Sequence, residues 1–288
     1  MERKYLNGAS SMAQYKIDNK TIIIIGEIHI TPITHITAPI IKKEKCKGID
    51  VNTFILEKLR SENMKLLLEY DSRLKLSSRT NDDIKKTLSS QNMNTLLDKL
   101  VLRRFEEKVE GIDIRPTYIN SHILYEYQNY DITLIDIFKL FLDPLNLHFS
   151  KIFFFVKEKY NTKNVKYLEG YINSKFENLL FINNVRDDII KKYSDELDNS
   201  QIINNSYIKY FIHLLFIIWA DVTDFVILKC ILKNDHLNKI ILIGEIHAKR
   251  FKDIFNNENV FYATSNYKYI EDFGFVYLGD NCVDITNH

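Results

Sequence analysis

Runs of apolar residues that end abruptly in charged ones organise this chain. Thr21–Ile25 is a β-branched run closing at Gly26. It lacks polar alternation, the mark of a central strand covered on both faces. Lys65–Tyr70 is a second strand and ends at Asp71; Val109–Ile114 is a third and ends at Arg115-Pro116. Pro116 suits a strand end because it cannot donate to the ladder. Lys239–Ile243 is a fourth strand, closing at Gly244. Between the first two, Asn52-Thr53 is expected to cap a helix reaching about Asn63. Residues 81 to 108 read as helical, with Asn81-Asp82-Asp83 as a cap and Leu96, Leu97, Leu100 and Val101 as an apolar stripe. From about 118 to 236 the periodicity is mainly helical, and Pro144 and Gly170 are its few breakers. Short strands near Val260–Ala263 and Cys282–Ile285 close the chain, while Met1 to Lys20 reads as polar and without a signal core. The expectation is one α/β domain over residues 1–288: a central mixed or mostly parallel sheet flanked by helices. A large helical portion, about 118 to 236, is inserted between the third strand and the last.

Composition narrows the function class. The chain has 288 residues, 45% hydrophobic and 27% charged, and a net charge of +1. That balance gives no electrostatic case for nucleic acid or an anionic membrane. Three cysteines, Cys46, Cys230 and Cys282, are too few and too odd for a disulfide scaffold and fit a reducing compartment such as the cytoplasm. The most apolar stretch, Tyr210 to Ala220, is interrupted by Asp221 and Asp224. It is expected to be a buried helix, too short to span a bilayer. The expected partner is therefore a small-molecule or peptide substrate, with neither nucleic acid nor membrane; oligomeric state stays open.

The chemistry collects at the strand ends. Gly-Glu-Ile-His occurs twice, at Gly26–His29 and Gly244–His247, each time directly after a β-run. The four strands end in the pairs Glu27 and His29, Glu69 and Asp71, Asp113 and Arg115, and Glu245 and His247. Residues two apart in an extended chain point to one side. In a mostly parallel sheet the C-terminal ends share the edge where open α/β sheets bind ligands. His29, His247 and Glu69 can hold a divalent metal of the zinc, manganese or iron class, or position a water without one. Glu27 or Glu245 can serve as general base, and Arg115 can clamp a carboxylate or stabilise an oxyanion. Asp71 and Asp113 suit supporting or capping roles, and His35 lies in the loop after the first motif.

A strand ending in Gly-x-x-His, repeated near the C-terminus with an acidic strand end between, resembles the TraB/Tiki, ChaN and erythromycin-esterase-like superfamily. The esterase branch has Gly-Glu-x-x-His, from which Gly-Glu-Ile-His differs by one residue. By that resemblance His29 and His247 match the paired histidines, Glu69 the acidic strand end and Arg115 a basic position after the third strand. Ala220 to Asp224 is similar to a helix that precedes the last motif in proteins of large DNA viruses, which implies host cytoplasm as the location if the chain is viral. The resemblance implies a hydrolase, peptidase- or esterase-like and possible with or without a metal. Its other implication is a non-catalytic module binding haem or another small ligand, with Tyr70 or a histidine as axial ligand, or a degenerate viral host-interaction protein. Every version requires residues 29 and 247 to become neighbours.

Overall fold

Short β-branched runs that are apolar on both sides are suited to the inside of a sheet, and Ile22–Ile25 and Ile240–Ile243 sit there. The structure, a computed structural model, describes residues 5–17, 19–27, 48–61, 63–87, 91–114, 132–163, 167–233, 235, 237–255, 259–263, 267–270, 274–277 and 282–285. The chain divides into two compact units, one formed by Met1–Ile112 with Asn234–His288, the other by Asp113–Lys233. Where a single domain with a helical insertion was expected, the insertion corresponds to the second unit.

The first unit is α/β. Its strands are β1 (Tyr5–Asn7), β2 (Ser11–Ile17), β3 (Lys20–Glu27), β4 (Ile49–Asp50), β5 (Met64–Asp71), β6 (Val109–Asp113), β7 (Asn238–Gly244), β8 (Asn259–Ala263), β9 (Tyr267–Ile270), β10 (Gly274–Tyr277) and β11 (Cys282–Asp284). Six of them form a mixed sheet in the order β6-β5-β7-β3-β2-β8. β7 lies between β3 and β5 and is parallel to both; β2 is antiparallel to β3 and to β8. The expected parallel centre is thus present, with antiparallel strands toward one edge. β1 and β2 were not anticipated. The β2–β3 hairpin closes over two residues, Ile17 pairing with Lys20, and Asn19 takes a left-handed φ of 64°, a conformation Asn tolerates better than most residues.

Helices cover the sheet. Ile23, Ile25, Leu66, Leu68, Ile240 and Leu242 form one core with Phe54, Ile55 and Leu59 of the helix Val51–Ser61 and Leu96, Leu97 and Leu100 of the helix Gln91–Leu102. The helical stretch expected over 81 to 108 holds two helices, Asn81–Thr87 and Gln91–Leu102. The second ends where Arg104 adopts a φ of 59°, with Phe105 N–H bonded to the Leu100 carbonyl, a Schellman-type stop. The cap of Val51–Ser61 is neither Asn52 nor Thr53. Asp50 precedes the first turn, and its Oδ1 accepts from Asn52 N–H at 3.0 Å and Thr53 N–H at 3.1 Å. Pairing of β4 with β1 holds Asp50 extended, which sets the cap earlier. At the β6 edge Gly111 is required by contact: a Cβ there would lie 2.7 Å from Tyr70 Cε2 and 2.8 Å from its carbonyl oxygen.

The second unit is helical. A capping box of Thr133 and Asp136 starts the turn Leu134–Ile137, a π turn Phe138–Leu142 follows, and the helix Asp143–Lys163 continues from it. Helices Tyr167–Lys192 and Ser206–Leu232 complete it. Phe153 stacks on Phe176 at 4.7 Å, and Trp219 Nε1 donates to the Phe141 carbonyl at 3.1 Å. The apolar helix is longer than expected, 27 residues rather than the 11 of Tyr210 to Ala220. Among the described residues it alone has the length and composition to cross a membrane, but 76% of its most apolar stretch is buried in the protein. Asp221 and Asp224 are buried with it. Lys175 pairs with Asp221 at 2.9 Å, and Tyr171 donates its hydroxyl to Asp224 at 3.0 Å. These contacts suit a core helix.

Replacing Asp50 by Ala leaves two N-terminal N–H donors without their shared acceptor and should lower stability by about 1 kcal/mol, measured as a shifted urea midpoint with an unchanged m-value.

Candidate functional site

Parallel register brings the strand ends level. Gly26 pairs with Ile243 and Glu27 with Gly244, while Leu68 pairs with Leu242 one residue before Glu69. Pleat alternation then sorts the side chains. Ile23 and Ile25, with Leu66 and Leu68, face the core under the helices Val51–Ser61 and Gln91–Leu102. Gly26 and Glu69 are one residue further on each strand and so face the other side. There the helix Glu245–Ile254 packs on β3, β7 and β2, with the Tyr15 and Phe255 rings 5.2 Å apart.

The second motif is not extended. Gly244 is the N-cap of the helix, and Glu245 and His247 are its first and third residues. Two helical steps turn a side chain through roughly 200°, so the two groups diverge rather than share a side. Glu245 leans toward β2 and β3: its Oε2 accepts the hydroxyl of Ser11 at 2.5 Å and is hydrogen-bonded to the hydroxyl of Ser10. Ser10 is itself tied to the Gly26 carbonyl by its N–H at 2.8 Å, and its Oγ, also 2.8 Å from that carbonyl, has a single proton to share between the carbonyl and Glu245. A Cβ on Gly26 would collide with Glu245 Oε2 and Ser11 Oγ and meet Ala248 Cβ at 3.0 Å. This is the physical reason for glycine in the first motif.

His247 turns toward β5. Its Nε2 lies 3.8 Å from Glu69 Oε1, while Glu69 Oε2 accepts the Gly244 N–H at 2.8 Å. Glu69 therefore joins the helix N-terminus to the imidazole. With Glu245 they are almost enclosed: Glu69 is 9%, Glu245 6% and His247 6% exposed. A carboxylate here is favoured by the N–H bond and the helix dipole.

The other expected residues fall elsewhere. Glu27 is buried, but alternation puts it with Ile23 and Ile25, on the opposite face from Glu69. His29, Arg115 and His35 lie outside the described residues. Asp71 is held by Arg73, accepting from its Nε and Nη2 at 2.7 Å each and from its N–H at 2.9 Å, a turn-forming role. Tyr70 faces the core. Ser10 and Ser11 carry little signal in the sequence, because Ser11–Ile17 and the residue before it read as polar. Their one signal is the alternation of Met12, Gln14 and Lys16 against Ala13, Tyr15 and Ile17.

No family model, curated protein or solved structure matches the chain. Its chemistry has to be argued from the side chains themselves. Among the described residues no group of three or more His, Cys, Asp or Glu side chains is arranged to hold a metal ion. Glu69 Oε1 and His247 Nε2 are two donors whose 3.8 Å separation is compatible with adjacent ligands at about 2 Å from one ion.

Two measurements test this geometry. Gly26→Ala should displace the Glu245 carboxyl or unfold the sheet end, costing about 1–3 kcal/mol; a crystal structure of the variant with Glu245 unmoved contradicts it. At Tyr70, burial first and Glu110 second push the phenol up to about 12. The unfolded phenol ionises near 10, so folded protein keeps its proton longer and stability falls as pH rises from about 10 to about 12. Tyr70→Phe should remove roughly 2 kcal/mol of that alkaline loss, read from urea midpoints across the range.

Proposed function

We propose that the protein is a hydrolase, peptidase- or esterase-like, working at the edge where β3, β5 and β7 end. The observation that carries this reading is the buried His247 imidazole beside the Glu69 carboxylate, at the C-terminal end of parallel strands where open α/β sheets bind ligands. An imidazole paired with a fixed carboxylate accepts a proton more readily, because the imidazolium is stabilised. In the proposed reaction His247 takes a proton from water as the water oxygen attacks the acyl carbon. The ester or amide bond then breaks, and the leaving group takes that proton back. Glu245, anchored by Ser10 and Ser11, is the other carboxyl at this edge and orients water or substrate. His29 and Arg115 are proposed as a second imidazole and an oxyanion-stabilising cation.

A divalent metal is the other version of this reading. Glu69 and His247, with His29 as the further proposed ligand, would hold it, and it would lower the pKa of a bound water. The haem alternative has weaker support. Tyr70 is 2% exposed and its burial favours the neutral phenol, whereas an axial tyrosine binds as phenolate. The reading also puts the chain in a reducing aqueous compartment, the cytoplasm, or host cytoplasm if it is viral, in keeping with three cysteines, too few and too odd in number for a disulfide scaffold.

Purified full-length protein should hydrolyse members of a panel of small esters and peptides. His247→Ala and Glu69→Gln should each lower kcat/KM by at least about 10²-fold, with unchanged circular dichroism. Full activity in His247→Ala would end the reading, and a wild type inert across the panel would favour a binding module. Elemental analysis of the same proteins separates the two chemistries: stoichiometric metal lost in His247→Ala marks a metalloenzyme.

A further inference from the structure

One helical face in the second unit is apolar yet turned to solvent. Leu140, Leu147 and Phe154 are 47%, 55% and 65% exposed. They recur every seven residues along the run that passes through the π turn Phe138–Leu142 into Asp143–Lys163. Leu147 and Phe154, seven apart within one α-helix, share a stripe; Leu140, in the wider π turn, is offset from it but is exposed like them. The opposite stripe, Leu145, Phe149, Ile152 and Val156, is the buried one, so this face takes no part in the core. Single exposed apolar residues need no explanation; three at seven-residue spacing, each more than two-fifths exposed, form a seam.

The charges beside the seam identify what covers it. Asp143 and Lys151 stand one turn before and one turn after Leu147, and both are exposed. Among the described residues neither has an ion-pair partner within its own chain. We propose that the face is a homodimer interface, in which this helix packs antiparallel against the same helix of a second copy about a two-fold axis at Leu147.

In a two-fold contact, residue i meets residue j and j meets i. Centred on Leu147, the arrangement stacks Leu147 on its own copy and sets Leu140 against Phe154 of the second chain. Asp143 then faces Lys151 of the second chain, twice over. A parallel pairing would instead set like charges side by side. One contact opposes the arrangement: Glu158 falls opposite Asp136. The Asp136 carboxylate is already bonded to Thr133 N–H at 3.0 Å and Thr133 Oγ1 at 2.7 Å. That pair also lies at the outer end, where helices crossing at about 20° diverge. With three apolar side chains from each copy the interface is at the small end of the specific range, so the dimer dissociates on dilution.

Sedimentation velocity of the full chain over a concentration series provides the test. The wild-type mass should move from one chain toward two as concentration rises, and Leu147→Glu should stay at one. Lys151→Asp and Asp143→Lys each set like charges opposite one another and should weaken association about tenfold. An equimolar mixture of those two variants, and the double exchange D143K/K151D, should both restore it. A wild type that stays monomeric throughout overturns the proposal. So does a dimer indifferent to Leu147→Glu, or charge exchanges that do not rescue. If the monomer instead binds phosphatidylcholine–phosphatidylglycerol vesicles and Leu147→Glu abolishes that, the face meets lipid and the dimer is wrong. All of these substitutions lie in the second unit and the β3–β7 edge belongs to the first, and the readout is mass rather than activity, so the result is independent of the proposed hydrolysis.

Discussion

Everything at the strand ends depends on the parallel pairing of β3 with β7. Their register, Glu27 against Gly244, makes neighbours of two segments more than 200 residues apart in sequence. It also fixes where the helix Glu245–Ile254 begins. A shift by one residue would carry Gly26 to the opposite face, and a side chain would then stand where the Glu245 carboxyl now passes. The sheet tolerates the buried carboxylates of Glu69 and Glu245 here because both have donors. Burying an unbonded carboxylate costs several kcal/mol. Glu69 meets the Gly244 N–H and Glu245 meets two serine hydroxyls. Such charge-assisted bonds are worth about 1.5–3 kcal/mol each, enough to offset much of that cost.

The same tetrapeptide plays two parts within one sheet. In the second copy the chain turns into a helix at once, and divergence of the first and third helical residues lets one short segment reach both neighbours. Glu245 reaches the β2–β3 side and His247 the β5 side. A strand continuation would have aimed both groups alike and left Glu69 or the serines without a partner. The helix start therefore converts a linear motif into a bridge across three strands. It also aims a backbone N–H at a carboxylate, the arrangement expected of a helix N-terminus.

Much of the fold was legible because its signal is local. Three largely apolar β-runs, Thr21–Ile25, Lys65–Tyr70 and Lys239–Ile243, mark the parallel centre, since strands covered on both faces can be apolar throughout. The glycines closing β3 and β7 marked the shared edge. What escaped was decided by tertiary contact. β2 looks like polar leader until its alternate residues have a core to face. Asp50 caps a helix only because β4 pairs with β1. Glu27 and Glu69 look equivalent as acidic strand ends, yet one residue of pleat separates them onto opposite faces. The i, i+2 rule failed for Glu245 and His247 because it presumes extended chain, and nothing in Gly-Glu-Ile-His distinguishes a strand end from a helix start. Ser10 and Ser11 were invisible for a related reason: a serine becomes part of a site only when a carboxylate arrives from the far end of the chain.

That long-range assembly links the site to the rest of the protein. Its members, Ser10, Ser11, Gly26, Glu69, Glu245 and His247, come from both ends of the sequence, and the second unit is inserted between Glu69 and Glu245. β3 cannot find β7 until the chain between them has been placed, and closing so long a loop is entropically costly and slow. The second unit reduces that cost by being helical: its own contacts are local, and once folded it replaces a flexible span of more than 100 residues by a compact body. Its interior need not be fitted to the chemistry at the sheet edge. Asp221 is paired with Lys175 and Asp224 with Tyr171 inside that unit, so its buried charges are satisfied where they stand. Chemistry and helical packing are thus separated by topology. The helical unit is free to carry an apolar outer face without disturbing the carboxylates and imidazole that the parallel strands align.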